Sequence, residues 1–325
     1  MINSVANTII FYGDSGLGKT ENAVEFAKLA YEVTRKPVAL ISQEVSSQKL
    51  FEPLIEVGVV KAFWLNGVAN PLPALRKLSL GQWPMLTGKT IAEGGTGVGG
   101  WQWKPEVFGA YVIEGLRSIS ERLLADVSGK GRQIGQDVVG RFEEEGQIFA
   151  KAGQSHFGFV QDELLRLIQS FGGLNIWRVL WTGHEVIGED SDRVVIRGPG
   201  LAGKAKTGDV QKYCSMLLHI DGYASTVTAG DQPRTEIKRR IWFVKHPDPV
   251  FKTILYPAKV TIPSANLAGL AEKYPGGYFE PTVKPGGGLK DSLADFLRLE
   301  QDLLKGTTDR AKEWKAKVDA EGGRQ

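Results

Sequence analysis

Eight residues near the amino end, Gly13-Asp14-Ser15-Gly16-Leu17-Gly18-Lys19-Thr20, satisfy G-x-x-x-x-G-K-[ST] at every fixed position. They lie between an apolar run, Thr8–Tyr12, and an amphipathic stretch beginning at Glu21, the strand-to-helix context that a phosphate-binding loop requires. Each residue type has a physical task. The glycines let backbone N–H groups curl around phosphate oxygens, and the helix end adds a partial positive charge. Lys19 offers a point charge to the outer phosphates, and Thr20 a hydroxyl placed to ligate magnesium. The expected ligands are ATP and Mg2+.

Hydrolysis asks for more: a carboxylate that orients or activates water, and a second acidic group near the metal. Glu44 closes the apolar run Val38–Gln43, and Glu114 follows Tyr111-Val112-Ile113, so both stand where strand ends face a ligand crevice. His184 ends Arg178–Gly183 and is followed by Glu185; it could hydrogen-bond a γ-phosphate or relay its loss. Each has an ordinary reading too: a solvated glutamate, a glutamate favoured in a helix's first turn, and a hydrogen-bonded structural histidine. Further on, Arg193, Arg197, Lys204, Lys206 and Lys212 are spread among glycines across 188–212, a composition suited to tracking a phosphate backbone.

Taken in order, the stations Gly13–Thr20, Glu44, Tyr111–Glu114 and Trp181–Glu185 resemble those of the RecA-like ATPases. The likeness is to small phage-encoded members grouped with single-strand annealing recombinases in particular, and it spans roughly residues 1–260. It departs at Glu114, where family members commonly carry Asp; the extra methylene moves the carboxylate relative to the family's magnesium contact. The resemblance implies a DNA-stimulated ATPase acting on single-stranded DNA in recombination, annealing or replication, in a phage setting within the host cytoplasm. It also implies a homo-oligomeric ring or filament, DNA-contacting loops drawn from 127–157 and 188–212, and a basic residue acting in trans, for which Arg240 and Lys245 are the candidates. A nucleotide-dependent assembly or helicase-loading factor with a protein partner, and a DNA translocation or packaging motor, are the alternatives.

The elements that must hold these residues are legible as alternating patterns. Short apolar runs at Thr8–Tyr12, Val38–Ser42, Val59–Leu65, Phe108–Ile113, Arg178–Gly183 and Met216–Asp221 read as strands. Helical spacing over Glu21–Val33, Gln48–Val57, Leu116–Val127, Ile134–Ala150 and Val160–Phe171 separates them, predicting an α/β fold: a mainly parallel sheet with helices on both faces. Long irregular insertions are expected near 82–105 and 188–207, and a β-hairpin over Tyr223–Val244. The ATPase core is expected over 1–265, followed by a Pro/Gly-rich linker at 266–288 and a charged amphipathic helical tail at 289–325, which could pack on its own core or meet a single-stranded-DNA-binding protein.

Composition sets outer bounds. A chain of 325 residues, 42% apolar and 24% charged, can bury a sizeable core, and a net charge of +3 is too small by itself to demand a polyanionic partner. The single cysteine, Cys214, precludes an internal disulfide. No apolar run approaches membrane-spanning length, so a soluble cytoplasmic setting without a membrane partner is expected.

Overall fold

Six short runs rich in Val, Ile, Leu and aromatic residues pair side by side, all in parallel, and form the frame of the molecule. The computed structural model describes residues 7–65, 68, 71–86, 98–103, 107–129, 140–144, 147–189, 195–202, 209–229, 232–247, 255–256, 258–261, 264–285 and 287–322. In chain order the elements begin with β1 (Thr8–Gly13), α1 (Lys19–Thr34), β2 (Val38–Ser42), α2 (Val45–Glu56), β3 (Val60–Trp64), α3 (Pro71–Ser79), β4 (Gln82–Leu86), β5 (Val98–Trp103), β6 (Ala110–Glu114) and α4 (Leu116–Gly129). They continue with β7 (Gly140–Glu144), β8 (Gln147–Lys151), α5 (Gln154–Gly172), β9 (Arg178–Glu189), β10 (Val195–Pro199), a 3-10 turn (Asp209–Tyr213), β11 (Met216–Ala229) and β12 (Gln232–Trp242). Last come β13 (His246–Pro247), β14 (Leu255–Tyr256), β15 (Lys259–Val260), α6 (Ser264–Lys273), β16 (Tyr278–Phe279), β17 (Thr282–Val283), β18 (Leu289–Lys290) and α7 (Leu293–Gly322).

The parallel strands run in the order β3-β2-β6-β9-β1-β11, and β12 and β16 extend the sheet antiparallel beyond β11. Period-two alternation sends successive side chains to opposite faces. Ile10, Ile41, Ile113 and Trp181 belong to the core beneath α3, α4 and α5, with Leu75, Ile119 and Leu164. Ile9, Leu40, Val112 and Leu180 belong to the core beneath α1, α6 and α7, with Phe26, Leu270 and Phe296. Phe26 and Phe296 are fully buried. Burying a side chain of that size stabilises by about 1.5–3 kcal/mol, whereas helix propensities differ by about 0.7 kcal/mol at most among ordinary residues, so packing decides where α1 and α7 lie.

The structure differs from the sequence reading in five places. The helix expected over Ile134–Ala150 is, within the described residues, the hairpin β7–β8, with Phe142 opposite Phe149 in register. The insertion at 82–105 contains a second hairpin, β4–β5, whose connecting residues 87–97 lie outside the described ones. The expected irregular stretch from Gly188 carries the end of β9 and all of β10, paired antiparallel from Glu185 to Glu189. Met216–Asp221 and Tyr223–Ala229 are one continuous 14-residue strand, β11, because Gly222 continues the extended chain without interruption. The segment 266–288 is not an open linker. It contains most of α6 and supplies β16, which pairs with β12, and Phe279 stacks on Phe296 with centroids 5.0 Å apart. Its apolar residues, Leu270, Tyr274 and Phe279, outweigh the glycines and prolines around them because they complete the core under α1 and α7. Among the described residues no helix is long and apolar enough to cross a membrane.

Candidate nucleotide site

Between β1 and α1 the chain turns through Gly16 and Gly18, at φ 76° and 85°, the left-handed region that a side chain strains. Gly18 is the N-cap residue of α1, so the helix begins at Lys19 with its amino end open toward the loop. Lys19 Nζ donates to the carbonyl oxygens of Gly13 at 3.0 Å and Asp14 at 2.6 Å, folding the ammonium back onto its own loop. Burial lowers the pKa of this lysine, against the pull of the Glu44, Asp14, Glu185 and Glu114 carboxylates.

Strand register brings the remaining polar groups to the same edge of the sheet. Gly13 is level with His184 on β9 and with Ile220 on β11, and Ser42 is level with Glu114. Parity then fixes their face: Ser42, Glu114 and His184 continue the alternation of Leu40, Val112 and Leu180, whose core α1 covers. Ser15 Oγ lies 3.3 Å from His184 Nδ1, and His184 Nε2 lies 3.8 Å from Glu44 Oε1, so the histidine spans from the loop to the carboxylate. Ser118, in the first turn of α4, donates to Glu44 Oε1 at 3.2 Å. Gly115, at φ 82°, makes room for this arrangement: a Cβ there would lie 2.9 Å from Glu44 Oε1. His184 holds the Glu44 carboxyl below the usual glutamate range, Ser118 and Lys19 add to the effect, and burial opposes it. A cleft of about 490 Å³ opens beside this group, lined by Asp14, Ser15, Arg117, Ser118, His184 and Glu185 among others.

Glu114 has the opposite character. It is 1% exposed, and among the described residues neither carboxylate oxygen makes a hydrogen bond of good geometry, with the Ser47 and Thr20 hydroxyls as its polar neighbours. Burial pushes its pKa up to about 7, with Glu44 adding to the rise and the Ser47 and Thr20 hydroxyls and Lys19 acting against it. A buried carboxylate with only hydroxyl neighbours, one of them the loop threonine, is a donor set that suits a hard divalent cation. Thr20 and Glu114 therefore fit the magnesium role, directly or through water.

The other residues singled out in the sequence fall elsewhere. Arg197 lies on β10, and its Nη1 donates to Glu185 Oε1 at 3.1 Å and to Tyr256 Oη at 3.2 Å, so its guanidinium is held inside the chain. Lys212 is exposed and paired with Asp209 at 2.6 Å. Arg193, Lys204 and Lys206 lie outside the described residues. Arg240 forms a two-bonded pair with Asp221, at 3.1 and 2.9 Å, and lies 4.4 Å from the Tyr223 ring, while Lys245 is exposed just before β13.

Sequence reasoning missed several participants. Ser118 and Ser47 bear on the two glutamates only because α4 and α2 begin at the same sheet edge. His219 bonds Glu185 Oε2 and His246, each at 3.0 Å, behind the loop; parity along β9 would have placed Glu185 on the face opposite His184, but its partners come from distant strands. Arg239 is adjacent to Arg240 yet faces the other way, toward Glu21 of α1.

No protein-family model matches the chain, and no curated protein does. Solved structures do. A KaiC-like protein from the archaeon Pyrococcus horikoshii OT3 is 11% identical, with a TM-score of 0.40, 87% of this chain covered and 89% of that one. The flagellar accessory protein FlaH from Methanocaldococcus jannaschii is 12% identical, also at 0.40, with 87% and 88% covered. Likenesses so slight carry no argument about what this chain does.

Proposed function

We propose that the protein is a RecA-like ATPase that binds ATP with Mg2+, hydrolyses it, and uses the cycle to act on single-stranded DNA in recombination, annealing or replication, in a phage setting. The observation that supports it best is the placement of Glu44: a carboxylate braced by Ser118 and linked through His184 to the phosphate loop, both of these partners lining the cleft beside that loop. A triphosphate entering the loop offers Lys19 phosphate oxygens in place of the two carbonyls it now holds. Thr20 and Glu114 would hold magnesium, which would supply charge neutralisation on the phosphates. Glu44 orients a water molecule and accepts its proton as the water oxygen bonds to the γ-phosphorus; the bond from that phosphorus to the bridging oxygen breaks, and ADP and phosphate leave. Loss of the γ-phosphate changes what Ser15 and His184 hold, and β9 carries that change toward β10 and the 188–212 segment. The DNA reading is supported by the basic residues among glycines in that segment.

The test is a pair of variants assayed for ATP binding and turnover. Lys19→Ala should abolish binding, whereas Glu44→Gln should bind ATP normally and turn over about a hundredfold or more slowly, the usual size of a lost general base. Undiminished turnover by Glu44→Gln would remove that residue from the chemistry.

A further inference from the structure

The phosphate loop is also approached from β12, two strands away from β1, by Arg239. Its Nη1 donates to Glu21 Oε2 at 2.6 Å, and it occupies the space that a Cβ on Gly18 would take. Gly18 caps α1 and Glu21 sits in its first turn, so the guanidinium rests at the rim where the helix amides face the loop. Strand register explains how it gets there. Arg239 is opposite Gly222 on β11, and a side chain on Gly222 would meet Leu17 Cδ2 at 2.8 Å and Ile237 Cγ2 at 3.3 Å. Leu17 and Ile237 fill the space over that bare strand position, so β12 packs close against the phosphate-loop side of β11. Parity along β12 puts Arg239 on the face of Ile241, over α1, and sends Arg240 to the other face with Trp242.

Arg239 and Glu21 are both partly open to solvent, at 28% and 41% exposure. An ion pair so exposed is held weakly. A polyphosphate at the helix end is a stronger acceptor for a guanidinium than a solvated carboxylate, and its charge repels Glu21. We propose that Arg239 is a nucleotide-binding residue, paired with Glu21 when the loop is free, that changes partner to a phosphate oxygen when a nucleoside di- or triphosphate binds. The inference rests on the phosphate-loop reading above and adds to it a residue from outside the motif. Because Arg239 stands at Gly18 and Glu21, away from the Ser15–His184–Glu44 group, it serves binding of ADP as well as ATP and leaves the chemical step alone.

Calorimetric titration of the full chain with Mg-ATP and Mg-ADP, alongside steady-state kinetics, tests this. Arg239→Ala should weaken both nucleotides by about tenfold, the size of one lost charge-assisted contact, raise KM in proportion and leave kcat within about twofold. Arg239→Lys should recover part of the loss. Glu21→Gln should tighten binding, and that gain should vanish when Arg239→Ala is also present. Should Arg239→Ala fail to fold, Arg239→Gln retains the strand's polar stem and gives the same comparison. Wild-type affinity in the folded Arg239 variants overturns the proposal, as does a Glu21→Gln gain that persists without Arg239, since Glu21 would then act through its own charge. Unaltered ATP binding by Lys19→Ala is a different failure: it would overturn the phosphate-loop reading itself.

Discussion

Glu114 and Gly115 are neighbours with separate, testable consequences. Because burial pushes Glu114 up to about 7, the folded protein keeps that proton over a pH range in which the unfolded chain has released it. Stability from this group therefore falls as pH rises from the ordinary glutamate range to about 7, and levels off above it. Glu114→Gln should match the wild type below about pH 4 and exceed it by up to about 3 kcal/mol above about pH 8, measured by denaturant unfolding without nucleotide. Gly115 is at φ 82° with Glu44 close over it. Gly115→Ala should cost about 1–2 kcal/mol from backbone strain and also slow turnover by displacing the carboxylate; full activity in the folded variant would sink the second part. Glu44, Glu114 and His184 were legible because strand ends are legible and ligands gather there. Ser118 and Arg239 were not, since each matters only through a neighbour far away in sequence.

Among the elements, α7 shows most clearly how the site is supported. Its first turns are buried, and Glu300 accepts two bonds from Arg178 at the start of β9, at 3.0 and 2.8 Å. Asn22 ties the helix start to α1: its Oδ1 accepts from the Leu293 N–H at 3.0 Å, while its Nδ2 donates to the Gly18 carbonyl. Thus the carboxy-terminal helix braces both the strand that presents His184 and the helix that follows the phosphate loop. Removing one partner of a buried pair leaves an uncompensated charge, so Glu300→Ala should destabilise by about 3–5 kcal/mol, read as a lower unfolding midpoint. Replacing both, Arg178→Met with Glu300→Leu, should recover most of that loss. The apolar face of this helix was visible as a repeat of Leu293, Phe296 and Leu297, but the sequence could not say which surface it covers.

For the whole molecule, the decisive measurement is ATP turnover with and without single-stranded DNA across a salt series. If four of the five basic residues in 188–212 meet phosphates, affinity should fall about fiftyfold for a fourfold rise in salt. Salt-insensitive association and no stimulation would favour a nucleotide-dependent factor whose partner is a protein. Arg197 sharpens the question, because Glu185 and Tyr256 already hold its guanidinium. Arg240 is similarly engaged by Asp221, so a role in trans would require it to leave that pair, whereas Lys245 is exposed.

Local chemistry alone specified the phosphate loop, the alternating parallel strands and the carboxylates at their ends, because glycine conformation, period-two burial and helix spacing act over a few residues. The hairpins at 82–103 and 140–151 and the packed segment at 266–288 escaped it: glycine and proline made 82–105 and 266–288 read as irregular, and the apolar spacing over 134–150 read as a helix where the chain pairs as strands. Strand order could not be had from spacing either. It is the order β9-β1-β11-β12 that sets His184 on one side of the loop and Arg239 on the other, and that adjacency exists only once residues some two hundred positions apart are packed together.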